Sequence, residues 1–277
     1  MYKEHPSQAG RIMPTAKGFS ITDLQIKKLA ELKEKIKLTE NQVKERDELE
    51  LKLERSKLPS PLADGAKTRV KEVFLKDLYG MARNAWSKQM DKGNECEDES
   101  IKLVAKVSGI FGIKKNEQKF ENDYFIGTPD IITDDAIIDI KTSWDGLTFP
   151  WFDEEMPDKD YIFQVLAYMH LTGRRKGYVA FCLTNSNEDA IQDECRREAW
   201  RRKVIDPTAD VLQEIEDDVR AQMEFDQVPD VLRVRMFEVK YDEDTIKKMI
   251  ERVECCRTYY AELTKKIENK KDVYENL

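Results

Sequence analysis

The stretch GTPDIITDDAIIDIKTSW, residues 127–144, constrains this chain more than any other. It sets charged side chains among short, apolar, β-branched runs. Ile131-Ile132 and Ala136–Ile140 flank the polar turn Thr133-Asp134-Asp135, which is a hairpin signature. Pairing Ile132 with Ile137 puts Asp130 directly opposite Asp139. Side chains alternate along a strand, so Asp139 and Lys141 share one face and Ile138 and Ile140 take the other. Facing Cβ atoms on paired strands lie about 5 Å apart, and like charges at that spacing destabilise the pair. A divalent cation removes the conflict, because hard ions choose carboxylate oxygens. Lys141 then stands beside the metal, where it can hold or activate a water. Asp134 and Asp135 read as turn residues. A decorated surface hairpin is the alternative, but Pro-Asp before one strand, Asp-x-Lys on the next and correct phase across the turn favour a metal site.

Composition narrows the setting. The 277 residues suffice for one large domain, or one domain with an appendage. Charged residues make up 37% and the mean hydropathy is −0.68, so long exposed helices are expected. No apolar run approaches a membrane span, and "MYKEHPSQAG" lacks an apolar signal core, so a cytoplasmic chain is expected. The five cysteines form no CxxC, and Cys255 and Cys256 are adjacent; neither a zinc ribbon nor a disulfide framework is indicated. A net charge of −8 argues against a bulk electrostatic DNA binder but leaves room for local basic patches.

Along the chain, residues 20–56 predict two charged helices. Ser20 and Thr39 serve as N-caps, and Thr39 with Gln42 forms a capping box. Leu29, Leu32 and Ile36 make one stripe and Val43, Leu49 and Leu53 another, across a short link, so a helical hairpin arm is predicted. "SKLPSPLADG" then breaks the helices, and a further helical stretch spans roughly 66–90. In 92–109, helical spacing puts Glu97, Ile101, Val104 and Ser108 on one stripe, which makes Glu97 the acid facing inward. Asp98 is its nearest competitor, and Glu95 and Glu99 fall outside. Residues 159–173 form an apolar helix with Gln164 and Tyr168 at i and i+4; a glutamine there needs a partner. His170 reads as a structural side chain. Strands are predicted at 177–185 and 231–241. Residues 195–203 read as a basic helix carrying Arg196, Arg197, Arg201 and Arg202, with Trp200 among them. Together with Arg174, Arg175 and Lys176, it is the candidate phosphate-facing surface, against the alternative of a solvated face. The last helix spans about 243–270 with Ile246, Met249, Val253, Tyr260, Leu263 and Ile267 on its stripe. The order helix, strand, strand, helix, strand predicts an α/β core with a central mixed sheet flanked by helices.

With those residues on the page, the chain resembles the PD-(D/E)XK nucleases. Pro129-Asp130 matches the first motif, Asp139-Ile140-Lys141 the second, Glu97 the upstream helix glutamate, and Gln164 with Tyr168 the QxxxY motif of the RecB-like branch. Within that superfamily it is most similar to phage recombination exonucleases of the lambda exonuclease and YqaJ type, through "KGNECEDE", "YIFQVLAYMHLTG" and the N-terminal "HPSQAGRIM". It departs from them after Lys141, where Thr-Ser-Trp-Asp-Gly replaces an expected arginine.

The resemblance implies a restriction-endonuclease-like core over 61–277 and an N-terminal segment, 1–19, that contacts a DNA end; the helical arm between them, 20–60, is long for that family. It implies magnesium, with manganese as a substitute, on Asp130, Asp139, the Ile140 carbonyl and Glu97, and no iron–sulfur cluster. Lys141 orients or activates the attacking water, Gln164 holds Lys141 or that water, and Tyr168 packs behind them. Ser7 and Thr128 bind a terminal phosphate. The implied activity is a 5′ to 3′ exonuclease on double-stranded DNA ends. Its implied setting is a homotrimer in a bacterial host's cytoplasm, feeding 3′ single strands to an annealing protein. Rival readings are an endonuclease or RecB-like repair nuclease, and a catalytically silent adaptor that binds through its arm.

Overall fold

The computed structural model describes residues 1–80, 87–110, 112–205 and 208–275, with the side chains of 271–275 excepted. The chain divides into two units. The first comprises Met1–Glu4, Gln8–Arg83 and Lys247–Leu277, and the second His5–Ser7 and Asn84–Ile246. The division expected at residues 60 and 61 therefore falls inside the first unit.

The first unit is helical. A single turn, α1 (Ala9–Ile12), precedes α2 (Asp23–Glu34), α3 (Glu40–Ser56) and α4 (Asp64–Tyr79). Both arm helices start on full capping boxes. Thr39 caps α3 as expected, but Thr22, paired with Gln25, caps α2 in place of Ser20. Leu29, Leu32 and Leu49 bury the seam between α2 and α3, with Leu38 and Leu53 beside them. Ile36 lies past the end of α2 and is fully exposed, so it does not extend the stripe. The helix expected over 66–90 stops at Gly80, which takes the left-handed conformation (φ 66°) that closes helices; its stretch 81–86 lies outside the described residues.

The second unit carries α5 (Lys88–Glu95), α6 (Glu97–Ser108), β1 (Phe120–Glu121), β2 (Ile126–Gly127), β3 (Ile131–Ile132), β4 (Ala136–Thr142), α7 (Lys159–Thr172), β5 (Lys176–Cys182), α8 (Glu188–Arg201), α9 (Ala209–Met223) and β6 (Val234–Lys240). The single helix expected over 92–109 breaks at Cys96, which closes α5 and opens α6. The β1–β2 hairpin is additional to the sequence expectation. The main sheet runs β3-β4-β5-β6, with β4 and β5 parallel and the outer pairs antiparallel. Helix α7 is the crossover between the parallel pair, as such a pair requires. It lies close to the sheet because β5 carries Gly177; a Cβ there would sit 2.3 Å from Val165 Cγ1. On the opposite face, α6 packs Ile101, Leu103 and Val104 against Ile138, Ile140, Ala180 and Cys182. This is a mixed α/β core flanked by helices, as predicted.

The last helix, α10 (Glu243–Glu275), begins in the second unit and continues in the first. In the first unit its Arg252 donates to the carbonyls of Ile12, Ser60 and Pro14 at 2.9–3.1 Å. Arg257 donates to Tyr2 O at 3.0 Å. The fully buried Glu4 accepts Arg69 at 2.7 Å. The Arg252 and Arg257 bonds satisfy irregular backbone that no ladder would serve, and they tie α10 to the N-terminal segments.

Candidate active site

The β3–β4 register is Ile131 opposite Ile138 and Ile132 opposite Ile137. Continued by one residue, it sets Asp130 against Asp139, as the sequence predicts. Asp130 is held there by its own side chain, because Ile140 N donates to Asp130 Oδ2 at 2.7 Å. From the other side, Asn116 N donates to Asp130 O and Asn116 Nδ2 to Pro129 O, at 2.8 and 2.9 Å.

Asp139 is 1% exposed and sits in a closed ring of three side chains. Gln164 Nε2 donates to Asp139 Oδ1 at 2.7 Å, and Lys141 Nζ lies 2.8 Å from Asp139 Oδ2. Lys141 Nζ also donates to Gln164 Oε1 at 3.1 Å. The buried glutamine thus finds both partners it needs, one for its amine and one for its carbonyl. Alternation on β4 aims Asp139 and Lys141 at α7, and α7 answers with Gln164. Three residues earlier, Tyr161 offers its ring face to Lys141 Nζ at 4.7 Å. The sequence reading missed Tyr161, although i, i+3 spacing from Gln164 placed it on the same face. Tyr168, one turn beyond Gln164, donates to Thr128 O at 3.0 Å and anchors the loop leading into Pro129-Asp130.

The electrostatics follow from burial. Desolvation and the facing Asp139 push the Asp130 carboxyl up to about 7, against the bond from Ile140 N. Asp139 is raised by burial, opposed by Lys141 and Gln164. Burial alone would lower Lys141, but its bonds to Asp139 and the charge of Asp130 outweigh it and hold the ammonium above its usual range. One lysine therefore faces two carboxylates, Asp139 buried and Asp130 half-buried.

Glu97, Asp130, Asp139, Lys141 and Gln164 all line one cleft of about 560 Å³. Glu97 does face inward, but Lys115 Nζ holds it at 2.7 Å. Lys115 reaches it because its backbone bridges Ile131, a long-range pairing with no local sequence signal. Asp98, at 3.8 Å from Lys115, is mostly exposed. Glu95 accepts from Asn187 Nδ2 and turns away from the cleft. Among the described residues, no three His, Cys, Asp or Glu side chains are gathered tightly enough to cage a metal unaided. Asp130 and Asp139 nonetheless offer the hard oxygen donors and the excess negative charge that suit a divalent cation.

The remaining candidates fall elsewhere. Pro6, beside Ser7, packs on Gly127: a Cβ on that glycine would sit 2.8 Å from Pro6 Cδ and 3.1 Å from the Tyr168 ring. Arg174 donates to Thr133 O at the hairpin turn. Arg175 stacks on Tyr241 at 4.0 Å, and His170 contacts the Tyr241 hydroxyl at 3.4 Å, a structural role as expected. On α8, Arg196 bonds Asp193, Arg197 pairs with Glu194 at 3.6 Å, and Arg201 pairs with Glu194 and Glu198 at 2.6 and 2.9 Å.

Among solved structures, the chain is similar to a phage-related exonuclease from Haemophilus somnus 129PT, at 23% identity over 96% of each chain with a TM-score of 0.66. It is also similar to the alkaline exonuclease LHK-Exo from Laribacter hongkongensis, at 17% identity over 77% of this chain and 87% of that one, TM-score 0.51. The LHK-Exo complex with dAMP matches at 16% identity over 97% and 96% of the two chains, with the same TM-score. No protein-family model and no curated protein matches the chain. The α7 crossover, the four-stranded sheet and the near full-length superposition agree: this chain has the fold of these exonuclease structures.

Proposed function

We propose that the chain is a metal-dependent deoxyribonuclease that degrades double-stranded DNA from its ends, 5′ to 3′, leaving 3′ single strands for recombination. One observation carries the reading. Asp130 and Asp139 face each other across the hairpin, and Lys141 and Gln164 close the network around Asp139, on a fold shared with exonucleases. Magnesium, or manganese in its place, would be held by Asp130, Asp139 and the Ile140 carbonyl, with Glu97 joining directly or through a water. Such an ion supplies Lewis acidity to the scissile phosphate and makes a bound water more acidic.

The chain's own groups do the rest. Lys141 stays protonated, so its ammonium orients the attacking water and stabilises charge developing on the phosphoryl oxygens. Gln164 fixes that ammonium by accepting from it while donating to Asp139. Tyr168 steadies Thr128, and Ser7 with Thr128 binds the terminal phosphate; the packing of Pro6 on Gly127 supports this pairing. A homotrimer around the duplex, acting in the cytoplasm with a single-strand annealing protein, completes the proposal.

Linear duplex DNA labelled at one 5′ or 3′ end, with a closed circle beside it, tests this directly. With magnesium, early release of the 5′ label, an intact circle and an inactive Lys141→Ala protein are expected. Cutting of the circle would make the chain an endonuclease. Absence of any metal-dependent cutting would overturn the enzyme reading.

A further inference from the structure

The chain is acidic overall, yet one short segment runs strongly the other way. Between 195 and 203 stand Arg196, Arg197, Arg201, Arg202 and Lys203 against the single acid Glu198. In their midst Trp200 is 81% exposed on α8. An aromatic face open to water among cations is the arrangement on which a nucleic-acid base can stack. Trp200 borders a cavity of about 290 Å³ whose other walls are Lys88, Arg196, Arg197 and Asp193. Three cations thus line the groove beside the ring, with Asp193 among them and Glu194 paired to Arg197. Asp193 bonds both Lys88 and Arg196, and Arg196 and Arg197 remain 72% and 58% exposed. Ion pairs that open to water are weak and exchange readily for another anion.

We infer that Trp200, with Lys88, Arg196 and Arg197, forms a binding platform for single-stranded DNA, distinct from the catalytic cleft. The aromatic face stacks a base while the flanking cations take the adjoining phosphates, the combination that sequence-tolerant single-strand binding uses. Base edges need not be read, so the two components suffice. The platform adjoins the cleft through α5. Lys88 lines the platform, while the next two residues, Gln89 and Met90, line the cleft. A strand leaving the cleft along α5 meets Lys88 first and Trp200 next. This route rests on the nuclease reading, but the binding itself does not.

The test is fluorescence anisotropy of a fluorescein-labelled (dT)20 strand with the full chain in EDTA, where nothing is cut. Trp200→Ala should weaken binding about tenfold, the scale of one lost stack, and Trp200→Phe should recover most of it. The exposure of Trp200 leaves the fold intact in both variants, which circular dichroism checks. Equal affinity of wild type and Trp200→Ala overturns the platform. Weaker binding accompanied by a smaller assembly in size-exclusion chromatography also overturns it, and assigns the patch to an interface between copies of this chain. Loss of (dT)20 binding in Trp200→Ala, from a chain that cleaves no DNA, would support the platform and sink the nuclease reading alone.

Discussion

Two charge-rich regions of the second unit obey different rules. In the cleft, Asp139 is 1% exposed and each of its oxygens meets a partner from β4 or α7. On α8, Arg196, Arg197 and Arg201 are more than half exposed, and each meets a carboxylate about a turn or two away on its own helix. A buried charge without a partner costs several kcal/mol, so its neighbours must be fixed by the fold. An exposed pair contributes about 0–1 kcal/mol and can trade partners. The cleft is thus a rigid device that tolerates little change. The α8 face is adaptable, which suits it to hold an anion briefly.

Substitutions should separate the two regions by the size of their effects. Lys141→Ala removes the only ammonium in the ring and should lower hydrolysis by about 10³-fold or more while the far-UV spectrum stays native; a single-turnover assay reads this. Gln164→Ala leaves a buried carboxylate oxygen and the lysine short of a bond. It should cost about 1–3 kcal/mol in urea unfolding, with a further fall in activity. A similar loss, about 1–3 kcal/mol, is expected for Gly177→Ala, because the added methyl overlaps Val165 and drives α7 off the sheet.

Acidity probes the same contrast. The Asp130 carboxyl is about 7 in the folded chain against an ordinary 3.8. Between those values the folded chain keeps a proton that the unfolded chain releases, so stability falls as pH rises. The contribution is fully present below 3.8 and is lost as pH passes through about 7. Without divalent cation, urea unfolding from pH 5 to 8 should show a downward slope of up to about 1.4 kcal/mol per pH unit. Asp130→Asn should lessen it, since Asp139, also raised, remains, and Arg197→Ala should leave it unchanged. At the small end, Arg197→Ala should move the thermal midpoint by about 2 °C or less. Lys203, at φ 56° just past α8, should gain up to about 1 kcal/mol on replacement by glycine.

The same distinction explains what the sequence disclosed. The hairpin register was legible because the Thr133–Asp135 turn sets Ile132 opposite Ile137, which carries Asp130 to Asp139. Glu97 and Gln164 were legible from helical spacing. The pairing of Glu97 with Lys115 was not, since it depends on a bridge between residues 115 and 131 that closes only in three dimensions. Neither was the break at Cys96, where no proline or glycine marks the join. Ser20 and Thr22 are both good caps; Gln25, three residues after Thr22, decides between them through a reciprocal bond. The grouping of α4 and α10 with the arm rests on Arg252 and on Tyr260, which donates to Asp77 at 2.8 Å. Such long-range bonds leave no periodic trace.

We propose that a divalent cation compensates Asp130 and Asp139. Calorimetric titration of manganese into the full chain at pH 8, beside Asp130→Asn and Asp139→Asn, tests it most directly. Binding by the wild type that both variants lose is expected. Binding that survives in both variants, or none in the wild type, would contradict it.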